Sequence, residues 1–238
     1  MTTETKPASS ISVSARTLHR MLTAVLPHTG RDNTLPALQA VSFEVRAGVL
    51  YLAATDRYTL GVAREVIPGA LIAAPDLGAL LARKSAKALR RMLRKADGVA
   101  AITLSGDRMS VDCGTGTTGS WATVPGEFPG WRKMLARMLD GEQAPLGDGF
   151  GMDLRNVAKF AKADSPSWAD ALSLRVTVGG QPGDDTKPAP SVLFARGDWF
   201  IGALMPVRRA ESTSSEGAKA WDEWSALGAA AEKVPADA

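Results

Sequence analysis

One pattern recurs three times along the chain, and it restricts the possible folds more than any single residue does. Each copy opens with apolar residues at helical spacing: Leu18, Met21, Leu22 and Val25, then Leu77, Leu80 and Leu81, then Leu154, Val157, Ala158 and Ala161. Intervals of three and four bring such side chains onto one buried helix face. Two alternating strands follow in each copy. VSFEVRAGVLYLAAT turns at Gly48, AAITLSGDRMSVDC at Gly106 and SVLFARGDWFIGAL at Gly197. Short glycine turns between alternating apolar runs are the strongest local hairpin signal. Leu18 precedes Gly48 by 30 residues, Leu77 precedes Gly106 by 29 and Leu154 precedes Gly197 by 43. The excess in the third copy is about the length of its GGQPGDDTKPAP loop. Three strand–helix–strand–strand units are expected. The fold class is α+β, an antiparallel sheet covered on one side by helices.

Breaks in composition divide the chain further. Residues 1–10 read as a flexible polar tail, 11–140 as a body holding the first two units, and 141–150 as a Gly-rich linker. Residues 151–209 hold the third unit. The remainder, 210–238, is an Ala/Ser/Glu-rich tail in which Trp221, Trp224 and Leu227 fall at helical spacing, either a short docking helix or a frayed end. With 45% hydrophobic and 22% charged residues the chain is an ordinary globular one. No apolar run reaches the ~20 residues of a membrane helix. Residues 1–10 lack the apolar core of a signal peptide, so a cytoplasmic location is expected. One cysteine and two histidines exclude a disulfide framework and a zinc site built from these residue types.

The residues supply no catalytic constellation, and no cofactor or metal is expected. Gly114, Gly116 and Gly119 match G-x-G-x-x-G, but a strand-like run ending at Pro125 follows where a dinucleotide site needs a helix. His19 and His28 have solvated or capping roles as their default reading. Asp184 and Asp185 adjoin in a Gly/Pro-rich loop, a solvated pair or a weak cation site. The concentrated feature is instead positive charge. From Arg83 to Lys95 there are seven basic residues and no acidic one: Arg83, Lys84, Lys87, Arg90, Arg91, Arg94 and Lys95. Like charges at helical spacing repel, and phosphates would relieve that repulsion by counterion release. A solvated helix flank is the other reading. The whole chain carries only +3, so any pull on nucleic acid is local.

Three blocks in order now carry a resemblance. TLPALQAVSFEVRAGVLYLAATDRYTLGVAR (Thr34 to Arg64) is similar to the block of bacterial β sliding clamps, the processivity subunit of DNA polymerase III, that contains the tripeptide Ala-Thr-Asp. GEFPGWRKM (Gly126 to Met134) resembles the clamp signature G-x-F-P-D-Y, and ALMPVR (Ala203 to Arg208) resembles the clamp's carboxy-terminal V-M-P-M-R-L. The resemblance implies a DNA clamp-like fold in which the first two units form one full clamp domain, like the middle domain of a clamp. The third unit would be a half domain like the end of the last one. Carried over position by position, a peptide-binding groove would include Leu38, Thr55, Arg57, Tyr58, Thr59, Leu60, Met205, Pro206, Val207 and Arg208. Leu38, Leu60 and Met205 are equally readable as core. Arg57 and Tyr58 stand where clamps commonly have Gly-His, and Thr59 where they commonly have Arg. Asp76 and Leu77 follow Pro75 where clamps often carry basic residues; the basic run comes a few turns later.

The resemblance implies a non-enzymatic sliding-clamp-like processivity factor. Its partners would be double-stranded DNA, bound by the Arg83–Lys95 run, and a DNA polymerase or repair proteins carrying clamp-binding peptides. Clamp rings hold twelve such units, so four chains of three units would also close a ring, the odd third unit pairing with a neighbouring chain's. The alternative is a peptide-binding module without a ring that competes for or reroutes clamp-binding proteins.

Overall fold

The computed structural model describes residues 9–32, 34–68, 77–114, 116–143, 152–163, 171–178 and 190–205. Unit one comprises β1 (Ser9–Ser14), α1 (Ala15–Val25), β2 (Ala40–Arg46), β3 (Val49–Thr55) and β4 (Thr59–Val66). Unit two comprises β5 (Leu77–Ala82), α2 (Arg83–Leu93), β6 (Val99–Ser105), β7 (Arg108–Asp112) and β8 (Thr118–Ala122). A connecting helix, α3 (Trp131–Asp140), leads to unit three: β9 (Glu142–Gln143), α4 (Leu154–Phe160), β10 (Ser173–Val178), β11 (Pro190–Arg196) and β12 (Phe200–Leu204). Each unit is one strand richer than the recurring pattern announces. β9 falls inside the segment expected to be a linker. Residues 179–189 of the GGQPGDDTKPAP loop, with Asp184 and Asp185, and the tail with Trp221, Trp224 and Leu227 lie outside the described residues.

Units one and two interlock by exchanging their first strands. β1 pairs with β6 over six residues, Ser9 opposite Leu104 through Ser14 opposite Val99. β5 pairs with β2 over six, Ala82 opposite Ala40 through Leu77 opposite Val45. One sheet therefore runs β1-β6-β7-β8, and the other β5-β2-β3-β4-β12-β11-β10-β9. The second sheet crosses without interruption from unit one into unit three through antiparallel β4 and β12.

Burial explains the layers. Along β3, Leu50, Leu52 and Ala54 face a core shared with α1, α2 and both sheets, whereas Tyr51 and Ala53 face the opposite side. There α3 lays Trp131, Leu135 and Met138 over Ala53, Leu60, Val62, Leu193 and Ala203. Helices thus cover both faces of the long sheet, not one as expected. α3 spans the seam between units, and burying each of its anchors contributes about 1.5–3 kcal/mol. Arg132 fixes its start, 2.5 Å from Glu44 of β2 and stacked on the Tyr51 and Trp131 rings.

Three expectations need correction. Leu77, Leu80 and Leu81 lie in strand β5 and not on a helix, because so short an apolar run carries no decisive period. In α4 the expected face is turned: Leu154 is 78% exposed and Ala158 and Ala161 are exposed, while Phe160 and Ala163 are buried. The third copy is longer because a whole strand, β10, precedes its hairpin. The Gly197 hairpin therefore joins the third and fourth strands of its unit, whereas those at Gly48 and Gly106 join the second and third.

Candidate functional site

Most of the basic run forms α2, with Arg94 capping its end and Lys95 just beyond; Ala86, Leu89 and Leu93 are buried and the cations occupy the remaining circumference. Lys84, Lys87, Arg91, Arg94 and Lys95 are exposed, Arg83 and Arg90 half-buried. α1 lies alongside and adds Arg16, His19 and Arg20 without an acidic residue. The field acts on its neighbours. Burial, then Arg90 and Arg94, hold the His19 imidazole below its usual value. Arg83 first, with burial, Arg31, Arg90 and Arg91, depresses the Lys87 ammonium. Arg83, Lys87, Arg90, Arg91 and Arg94 of the basic run thus repel one another and Arg31 across one surface. Counterions are few: Arg16 faces Asp97 at 3.8 Å and Arg20 faces Glu65 at 3.7 Å, both largely solvent-exposed pairs.

The second candidate region is the end of the long sheet where β3 turns into β4. Asp56 organises the turn, accepting from the Thr59 N–H at 2.8 Å, the Tyr58 N–H at 3.2 Å and the Thr59 hydroxyl at 2.9 Å. Its other carboxylate oxygen accepts from Lys159 of α4, which also reaches Asn156. Burial pushes the Asp56 carboxyl upward, but the bonds from Lys159 and Thr59 outweigh it and hold it below its ordinary value. The Ala-Thr-Asp tripeptide thereby clamps unit one to unit three. Arg57 takes the strained left-handed backbone at φ 78° that glycine adopts freely.

The turn projects Tyr58, 62% exposed, beside Met205, 40% exposed; the Met205 N–H donates to the Tyr58 carbonyl at 2.9 Å. The structure brings Thr55, Arg57, Tyr58, Thr59, Leu60 and Met205 together here. Leu38 enters the same sheet end from the 3-10 turn Pro36–Gln39, next to exposed Leu35. Arg57 faces Asp32 across 3.6 Å at the rim. Thr55, Thr59 and Leu60 are buried: the Thr55 hydroxyl donates to the Thr59 carbonyl, and Leu60 lies under α3. Pro206, Val207 and Arg208 lie outside the described residues.

Behind this turn sits a residue whose sequence reading is overturned. His28, expected to be solvated or capping, is fully buried, and neither ring nitrogen has a hydrogen-bond partner among the described residues. Its ring meets Phe160 at 4.8 Å and Phe200 at 6.3 Å. Burial first, then the Lys159 charge against a smaller opposing effect of Asp56, pushes it down to about 3. The rings fit because Gly61 and Gly202 stand opposite each other on β4 and β12. A Cβ on Gly61 would lie 2.3 Å from His28, and one on Gly202 2.4 Å from Phe160. Two glycines in TLGVAR and FIGAL were the only sequence trace of this slot.

No protein-family model matches the chain, and no curated protein is significantly similar to it. Solved structures do match. The architecture is that of bacterial DNA polymerase sliding clamps. The clamp of Pseudomonas aeruginosa superposes with a TM-score of 0.60 at 16% identity, over 86% of this chain and 68% of that one. The C. crescentus beta sliding clamp gives 0.63 at 15%, over 88% and 68%. The Thermotoga maritima DNA polymerase III beta subunit gives 0.57 at 16%, over 88% and 68%. The chain takes that fold and spans 68% of the length of those clamps.

Proposed function

We propose that this chain is a sliding-clamp-like DNA replication processivity factor. It binds duplex DNA with the α1–α2 surface and tethers a polymerase or repair protein at the Tyr58–Met205 end of the long sheet. The observation that carries the reading is seven basic residues and no acidic one between Arg83 and Lys95, on the helix pair of a clamp fold. Mutual repulsion makes that helix costly unless polyanion is near, and a duplex supplies regularly spaced phosphates. Contact is to phosphate and therefore indifferent to sequence. No catalytic step is assigned to the protein; its contribution is to hold a partner near DNA.

Fluorescence anisotropy with a labelled duplex tests this. Affinity is expected to fall steeply with salt, at ~0.9 log unit per log salt for each neutralised phosphate. Changing Arg90 and Arg91 to Glu weakens binding on every sequence and lowers the slope by about 2. Equal weak binding by wild type and variant would remove DNA from the reading.

A peptide-binding module without a ring is the second reading, and the exposed Tyr58–Met205 pair favours it. Two adjacent apolar side chains with Arg57 at the rim suit a short peptide carrying two or three apolar anchors. It predicts calorimetric binding of a clamp-type peptide that Met205→Ala weakens at least tenfold, with no duplex affinity.

A further inference from the structure

Arg57 is held in a backbone conformation that costs stability, and the turn around it makes no use of its side chain. Its φ of 78° lies in the left-handed region, where a residue with a Cβ is strained. The bonds that shape the turn come from elsewhere. Asp56 accepts from the Tyr58 and Thr59 N–H groups, the Thr59 hydroxyl and Lys159, and the Thr55 hydroxyl accepts the Arg57 N–H at 3.3 Å. Among the described residues the charged partner of the Arg57 guanidinium is Asp32, 3.6 Å away, with the two side chains 57% and 55% exposed. That distance is too long for a hydrogen bond, and water screens a pair so exposed.

Asp32 is fixed independently of Arg57. One carboxylate oxygen accepts from the Thr34 N–H at 2.9 Å and the Thr34 hydroxyl at 2.7 Å, and the other faces Arg57. The Thr34 N–H first, then its hydroxyl, with the Arg57 charge a lesser cause, hold the Asp32 carboxyl below its ordinary value. The pair joins the two segments that carry the apolar side chains of this region: Leu35 and Leu38 follow Asp32, and Tyr58 follows Arg57. Neighbouring cations are engaged elsewhere. Lys159 is 19% exposed and held by Asp56 and Asn156, and Arg31 belongs to the field acting on Lys87 of α2. Among the described residues, Arg57 is therefore the cation at this rim that can exchange its partner at little cost.

We infer that Arg57 selects an acidic residue in the peptide bound at the Tyr58–Met205 end of the long sheet, and that Asp32 occupies the guanidinium until such a carboxylate displaces it. The inference rests on the peptide-binding reading of that end. A peptide anchored by apolar side chains against exposed Tyr58, Met205 and Leu35 can bring an Asp or Glu carboxylate onto the guanidinium in the paired N–H geometry that Asp32 does not reach. Asp32 gives up a screened contact and keeps both bonds from Thr34, so the exchange favours the better-placed carboxylate. A neutral peptide leaves the Asp32 pair intact, and a basic one meets Arg57 as a like charge. Strain of the kind seen at Arg57 concentrates where a side chain is held for binding.

The test uses the full chain and labelled peptides with leucine and phenylalanine anchors. One further residue, placed in turn before, between and after the anchors, is Asp, Asn or Lys. Fluorescence anisotropy at low salt is expected to rank Asp above Asn above Lys at one placement, with Asp about three- to tenfold tighter than Asn. That difference should shrink as salt rises. Arg57→Gly should erase the difference while raising the denaturation midpoint, a combination that loss of a merely structural arginine does not give. Asp32→Asn keeps an amide oxygen for Thr34 and frees the guanidinium, so it should tighten the Asp peptide more than the Asn peptide. Equal binding of the three peptides at every placement, or selectivity that survives Arg57→Gly, would overturn the inference and leave the peptide-binding reading standing. Failure of every peptide to bind would overturn both.

Discussion

At the scale of single residues, the seam between units one and three is built by one histidine, two glycines and a phenylalanine ring. His28 folds as the neutral form and, at about 3, stays so far into acid. The unfolded chain takes up that proton near the usual histidine value of about 6.5. Below that value the unfolded state binds more protons than the folded one, so stability falls as pH drops toward 3 and is fully present above 6.5. Between pH 7 and pH 5 a loss of about 2 kcal/mol is expected in urea titrations, and His28→Leu should flatten that slope. Gly202→Ala is expected to cost roughly 1–3 kcal/mol by overpacking, because the new methyl would also sit 2.9 Å from the Leu60 carbonyl, which cannot move without breaking the sheet. Unchanged denaturation midpoints for that variant would mean the two rings are not held against the strand pair. Arg57→Gly goes the other way. It relieves a left-handed backbone at φ 78° and sacrifices only an exposed ion pair, so about 1 kcal/mol of added stability should appear in the same assay.

At the scale of elements, two contacts decide how unit three is held. One is β4 against β12, extended by the Arg64 N–H to the Trp199 carbonyl at 2.8 Å and by the Arg64 side chain to the Asp198 carbonyl. The other is α4, tied by Lys159 to the Asp56 turn. Removing one half of a mostly buried pair strands the other, so Asp56→Asn should destabilise by about 2–3 kcal/mol. Adding Lys159→Met should recover part of that loss, and a double-mutant cycle with no coupling would show the contact to be incidental. The Asp56 carboxyl is held below its ordinary value, so this pair stabilises above about pH 4 and fails as pH falls through its lowered pKa. Acid therefore loosens the seam twice, first through His28 and then through Asp56. α3 supports the same junction from the other face, with Trp131 and Leu135 packed against Leu60, Leu193 and Ala203 across the β4–β12 line.

At the scale of the whole molecule, the charge distribution and the sheet path belong together. A net charge of only +3 hides a surface on which α1, α2 and Arg31 concentrate their cations, with Asp97 and Glu65 at its edge paired to Arg16 and Arg20. A duplex that binds the folded chain alone should raise its unfolding free energy, by about 2.7 kcal/mol when DNA is present at a hundred times Kd. Calorimetry at low salt is expected to show that gain and to lose it with Arg90 and Arg91 changed to Glu. In DNA-free protein, added salt should stabilise slightly, because screening relieves the repulsion along α2.

Much of this was written locally. The α1 face, the hairpins at Gly48, Gly106 and Gly197, and the cations of α2 each follow from spacing within a dozen residues, because helical and strand periods fix which side chains share a face. The ordered blocks around Asp56, Phe128 and Met205 also pointed to the clamp fold that the superpositions display. What the periods leave open is which other element covers that face. β1 pairs with β6 some ninety residues on, Asp56 bonds Lys159 across 103 positions, and the Gly61–Gly202 slot receives His28 and Phe160 from two further segments. The apolar run of β5, the missed strand β10, the turned face of α4 and the burial of His28 all depended on such partners. Local pattern determined the pieces and their polarity; the exchange of strands between units, which no local period encodes, decided what each piece was packed against.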